Sequence, residues 1–170
     1  MRNYWVVTCC YNFIIYMISM SVYYAFGRYV SGFTFFTESN PTIIWLSLIG
    51  WGLNQVALSF LFASFLDSSQ TATMVGYAVS IMATVGASTV CLTVPALYHF
   101  SDDNSTFWLR YEICVYPAIP FCRIWLAFSE ACAWKTCMSS IRYMPEEIFI
   151  LLKILYAHAF IYFTLAVYLN

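Results

Sequence analysis

Long stretches without charge, separated by short polar punctuation, dominate this chain. Residues 4–26, 43–66 and 71–98 contain no Asp, Glu, Lys or Arg, and residues 148–169 contain only Lys153. None alternates apolar with polar in the ten-residue segments a β-barrel needs. Each is long enough for a helix to cross the roughly 30 Å hydrocarbon core, and 71–98 leaves room for tilt. Backbone groups surrounded by lipid must be satisfied within their own segment, so all four are predicted to be helices. The expected fold is all-α, a polytopic transmembrane bundle of four spans forming one domain over 1–170.

Residues 99–147 break this pattern. The run His99-Phe100-Ser101-Asp102-Asp103-Asn104-Ser105-Thr106 is an aqueous loop. Residues 113–138 turn apolar again, but Pro117, Pro120, Arg123, Glu130 and Lys135 interrupt them. Two ions near the centre of a full span would cost roughly 2.5–3.5 kcal/mol each on insertion scales. The two prolines disrupt a helix near its start. A short re-entrant or interfacial hairpin over about 113–138 fits better than a fifth span, with Trp108, Trp125 and Trp134 suited to the headgroup level. Met144-Pro145-Glu146-Glu147 then reads as a helix start, with Pro in the first turn and acids at the positive end of the dipole.

Composition agrees and narrows the class. Hydrophobic residues make up 62% of the chain and charged residues 9%, too few to cover a water-facing surface. Disorder and coiled coil need more polar residues, and a net charge of −1 with no basic stripe argues against nucleic acid. The main partner is the lipid bilayer, and the expected location is a multi-pass protein of the plasma membrane or an endomembrane. The first apolar run is too long for a signal-peptide core and lacks a small-x-small cleavage site at Phe26-Gly27-Arg28, so it is read as a retained helix. Both ends of the sequence lie close to the membrane.

Candidate chemistry is sparse. Ala72, Gly76, Ser80, Thr84 and Ser88 repeat every four residues, a small-residue face on which another helix can pack closely. Asn54 and Gln55 sit mid-span and are expected to hydrogen-bond between helices. Lys153 is near enough to a helix end to snorkel, and His158 has no second in-span His to complete a haem site. The seven cysteines make no Cys-x-x-Cys metal signature. If their segment is luminal, Cys114, Cys122, Cys132 and Cys137 allow up to two disulfides in three connectivities, the alternative being free thiols. No nucleophile elbow, zinc-protease motif or phosphate-binding loop occurs, so the chain is not an enzyme by itself and no cofactor or metal site is expected within it. Asn104-Ser105-Thr106 is a glycosylation sequon, which favours an extracytoplasmic loop. The distribution of Lys and Arg outside the spans favours the opposite orientation, so composition leaves the sidedness open.

The stretch from Leu53 to Tyr77 resembles the membrane domain of ABC transporters of subfamily A, an ABC-2 type family of exporters that mostly handle lipids. The resemblance rests on a helix rich in Phe, Leu and Ser, a very short turn, and the run Thr71-Ala72-Thr73-Met74-Val75-Gly76-Tyr77. Tyr116-Pro117-Ala118-Ile119-Pro120-Phe121-Cys122-Arg123 is similar to the family's Pro-aromatic-Arg element in its re-entrant helices. The resemblance implies a cytoplasmic N-terminus and an extracytoplasmic 99–147. It implies a partial transmembrane domain within a translocation pathway, with Asn54, Gln55, Gly76, Pro117, Phe121 and Arg123 in structural or gating roles. ATP and Mg would belong to a nucleotide-binding domain that, like the remaining transporter half, lies outside these residues. The tight turn Asp67-Ser68-Ser69-Gln70 departs from the family by lacking Lys or Arg. The competing reading is a small non-enzymatic four-helix membrane subunit that docks a partner through its small-residue face.

Overall fold

The computed structural model describes residues 2–66, 69–93, 116–133, 137–138 and 145–169. The polar loop with Asn104, Trp108 and Cys114, the turn residues Asp67 and Ser68, and Trp134 lie outside them. Every regular element among the described residues is helical: α1 (Arg2–Ala25), α2 (Thr34–Glu38), α3 (Pro41–Phe65), α4 (Ser69–Thr93), α5 (Ala118–Ala133) and α6 (Glu146–Leu169). A wider helical turn, Phe26–Val30, prolongs α1. Four helical stretches among the described residues are long and apolar enough to cross a membrane: Val7–Val30, Pro41–Phe65, Met74–Cys91 and Glu146–Leu169.

Local chemistry sets several boundaries. Asn40 caps α3 through its side-chain oxygen, which accepts from the Thr42 N–H at 2.9 Å, and Pro41 supplies a fixed φ in the first turn. The helix therefore starts two residues before the apolar run does. Arg28 lies within the lengthened first span, its Nη1 donating to the Tyr24 hydroxyl at 2.8 Å. Hydroxyl side chains within the spans donate to the preceding turn, as in Ser47 to Ile43, Ser59 to Gln55, Thr84 to Ser80 and Thr164 to Phe160. Satisfying these groups within the helix lets it carry Ser and Thr into lipid.

The strongest packing joins α3 to α6. One apolar cluster unites Ile43 near the start of α3 with Ile148, Leu151, Leu152 and Leu155 of α6. A second unites Val56, Phe60 and Leu61 with Ala166, so the two helices run in the same direction. Gly50 permits their approach: a methyl there would meet Leu155 Cδ2 at 2.9 Å and Tyr156 Cε2 at 3.2 Å. The first helix runs the other way along α3, placing Cys9 and Phe13 beside the second cluster and Met20 and Tyr24 beside Ile44 and Leu48. Gly52 faces the Tyr16 ring with no room for a methyl, and the Tyr16 hydroxyl donates to the Leu48 carbonyl at 2.8 Å.

The short α2 was not visible in the pattern of apolar positions. Its Phe36 is fully buried, inserted against Gly27, where a Cβ would come within 2.6 Å of the ring. Gly32, with φ of 59°, makes the reversal into that helix. The end of α1, all of α2, the starts of α3 and α6, and α5 thus gather at one end of the bundle, opposite the turn between α3 and α4.

Candidate functional site

The described part of the expected hairpin is a single helix, α5, too short to cross a bilayer. It begins immediately after Pro117, and Pro120 falls in its first turn, where the missing N–H is harmless. Phe121 stacks on Trp51, with centroids 4.6 Å apart and planes 13° from parallel. Trp51 lies ten residues into α3, about 15 Å along its axis. At the other end of α5, Cys132 meets Ser39, which precedes α3 altogether. The helix therefore lies deep in the bundle near its N-terminus and reaches the end of the bundle at its C-terminus.

Arg123 is 5% exposed, and its Nε donates to Glu147 Oε1 at 2.7 Å. Burying a guanidinium in an apolar setting is costly unless it is paired. Glu147 supplies that pairing from the first turn of α6, so the acid that suits the helix dipole also neutralises α5. Ile124 and Phe128, both fully buried, add apolar contact with Ile43 and Ile148. Trp125, the tryptophan of this helix, is half-buried among aromatic rings. Its ring packs edge-on to Phe35 and Phe128 and tilted to Phe36, at centroid distances of 5.5, 6.0 and 5.6 Å.

A cleft of about 360 Å³ lies between α1, α3 and α5, lined by Met20, Tyr23, Leu48, Trp51, Phe121 and Trp125. Its walls carry no carboxylate, amine or imidazole, and Tyr23 supplies a phenol among otherwise apolar and aromatic side chains, so it suits apolar contact. Phe121 and Trp51 form one wall as a stacked pair, which makes the position of α5 a determinant of its shape.

The residues singled out from the sequence divide into two groups. Pro117, Phe121 and Arg123 act together on α5. Asn54, one turn beyond Trp51 on α3, is 1% exposed, and its Nδ2 donates to the Gly50 carbonyl at 2.8 Å and to the Leu155 carbonyl of α6 at 2.7 Å. Gln55 faces α4 instead, accepting a long 3.5 Å bond from Ser80. Gly76 stands apart, since a methyl placed on it would meet nothing within 4 Å. The four-residue series on α4 is thus not one continuous contact: Ser80 meets α3, Ser88 lies 3.9 Å from Cys122 of α5, and Thr84 is exposed. Close helix approach occurs at Gly50 and Gly52 of α3. The Asn104 sequon lies outside the described residues. Lys153 is exposed, with its ammonium 4.1 Å above the Phe149 ring, and His158 stacks on Tyr162.

Sequence reasoning missed Glu147 as a partner for Arg123, Trp51 as the platform for Phe121, and Met138. The last is 5% exposed, sits in the α3–α5–α6 cluster, and accepts from the Asn40 N–H at 2.7 Å. A disulfide joins Cys132 to Cys137, the residue before Met138, while the Cys91 thiol donates to the Ile119 carbonyl of α5 at 3.8 Å and Cys122 lies beside Ser88.

No family model and no solved structure matches this chain. Among curated proteins, it is similar to ABC transporter A family member 7 of Dictyostelium discoideum, with 27% identity across the whole chain. It is likewise 28% identical to ABC transporter A family member 9 of the same organism, over 99% of the chain. The chain spans 19% of the length of each of these relatives. With only helices and four membrane-length ones among the described residues, and end-to-end similarity to two ABC transporter A family members, the chain is, at this level, like a transporter's membrane part.

Proposed function

We propose that this chain is a partial ABC-2 type transmembrane domain of an ATP-driven exporter of the ABC A family. Within that protein it forms part of the pathway for lipids or other amphipathic substrates. ATP and Mg bind a separate nucleotide-binding domain, and the remaining transporter half completes the path. The observation that carries this reading is the end-to-end similarity to two ABC transporter A family members. The internal architecture supports it. A helix with Pro117, Phe121 and Arg123 enters among the spans and is tied to the last of them by the Arg123–Glu147 pair. Such an element transmits movement of α6 to the wall of an apolar cleft without any chemistry of its own. The extracytoplasmic side is the one that holds α2 and α5.

The test is leaflet-resolved lipid movement. The full-length protein is reconstituted in liposomes with its nucleotide-binding domains, head-group-labelled phospholipid, ATP and Mg. Label accessible to an impermeant quencher is followed over time. The expected result is ATP-dependent redistribution that Arg123→Ala slows and that a non-hydrolysable nucleotide abolishes. Redistribution independent of ATP, or none with an assembled and ATP-hydrolysing complex, overturns the lipid-export reading.

A further inference from the structure

We infer that the Cys132–Cys137 disulfide is an extracytoplasmic redox latch that holds α5 in the bundle. Its partners make it more than a local link. The bond fixes the penultimate residue of α5 to the residue preceding Met138. Met138 is anchored twice, by its side chain in the cluster with Ile43, Phe128, Ile148 and Leu155, and by its carbonyl, which accepts from Asn40. Asn40 in turn caps α3. Ser39, 3% exposed, places its hydroxyl 3.5 Å from the Cys132 sulfur. The bond therefore closes a short loop at the exit of α5 whose far end is hydrogen-bonded to the start of α3. Without it, the C-terminal end of α5 is tied to the Met138 anchor only through the intervening backbone, a longer and looser tether than the direct Cys132–Cys137 link.

Two consequences follow from chemistry alone. Disulfides persist where the surroundings are oxidising and are rare in the cytosol, so this end of the bundle faces away from the cytoplasm. A dithiol opens the latch by attacking one sulfur and then resolving the mixed disulfide. Cys132 and Cys137 gain two electrons and two protons, and the dithiol leaves as its own disulfide. Opening relaxes α5, and with it Phe121 at the cleft. The latch does not depend on the transport reading and stands or fails without it.

The sequence offers a direct assay. Trypsin cuts after Arg123, Lys135 and Arg142, so peptides 124–135 and 136–142, with one cysteine each, stay together only through this bond. The full-length protein in sealed right-side-out vesicles is alkylated with N-ethylmaleimide, digested without reductant and examined by mass spectrometry. The joined pair is expected, separating when an impermeant phosphine reductant is applied outside. Alkylated separate peptides from untreated protein overturn the disulfide, and a bond opened only after permeabilisation overturns its sidedness. Cys122, half-buried between α4 and α5, reports the latch. Its alkylation rate should rise at least ~10-fold after reduction and in C132S/C137S, while that of Cys9 stays unchanged. Reduction of the native protein covers the case in which the double variant misfolds. An unchanged Cys122 rate after complete reduction overturns the latch.

Discussion

Arg123 and Glu147, separated by 24 positions in sequence, meet Nε to Oε1 at 2.7 Å and join the short helix α5 to the membrane-length helix α6. Removing one partner leaves the other charge in apolar surroundings, a loss of about 3–5 kcal/mol in comparable buried pairs. Glu147→Ala and Arg123→Ala are each expected to lower the thermal unfolding midpoint of the detergent-purified protein substantially. Replacing both, as Arg123→Met with Glu147→Leu, should recover most of the loss, because no unpaired charge remains. If the double variant is as unstable as the sum of the singles, the pair is not the source of their effect.

Glycines on α3 and α4 should respond in opposite directions. Gly50→Val drives side-chain atoms into Leu155 and Tyr156, and overpacking of this kind costs about 1–3 kcal/mol. Gly76→Ala meets open space and relieves the helix of a glycine, a gain of about 0.5–1 kcal/mol. Thermal unfolding of the two variants measures both. A destabilising Gly76→Ala confined to an assembled complex would show that a partner packs on that face, which is the small-subunit reading's own expectation.

The extent to which the fold was legible depended on the type of physical signal. Absence of charge marks a span because lipid penalises ions residue by residue, so 43–66 and 148–169 pointed to α3 and α6 almost to their ends. The boundaries moved where a polar residue had local satisfaction: Asn40 caps, Glu146 and Glu147 suit a dipole, and Arg28 reaches Tyr24. Helix α2 was invisible because five residues are too few to show a period, and its fold depends on Phe36 finding Gly27. The small-residue series on α4 shows that its residues share a face, not which neighbour occupies it, and within this chain only Ser80 and Ser88 of it meet α3 and α5. Of the site, Phe121 and Arg123 stood out through the Pro-aromatic-Arg run. Trp51, Glu147 and Met138 did not, since each is set by how α5 lies across α3 and α6.

Asn54 tests how much one polar bond contributes between α3 and α6. Its donation to the Leu155 carbonyl is an interhelical hydrogen bond within the spans, and such bonds in membrane proteins average about 0.6 kcal/mol. Asn54→Leu should therefore cost little from the lost bond and more from forcing a branched side chain into a fully packed site. Asn54→Ala separates the two effects. A loss of about 1 kcal/mol or less in reversible unfolding is expected for Ala, with a larger one for Leu. If Ala proves the worse of the two, the volume it leaves empty, rather than overpacking, governs this contact, since both variants lose the polar bond.

The stack of Phe121 on Trp51 couples the re-entrant helix to the cleft and yields to a double-mutant cycle. Aromatic pairs of this kind are worth about 0.5–1.5 kcal/mol beyond the area they bury. Phe121→Leu and Trp51→Leu each remove one ring while keeping apolar volume, and the double variant removes both. The single effects should sum to more than the double by about 1 kcal/mol, a coupling that independent sites would not show. Trp51 also has α1 and α3 neighbours around the cleft, so its single substitution should be the more costly. Additive effects would mean that α5 is positioned by Arg123, Phe128 and the Cys132–Cys137 bond alone, with Phe121 merely lying against α3. A measured coupling would instead make Trp51 a direct structural determinant of where the re-entrant helix rests.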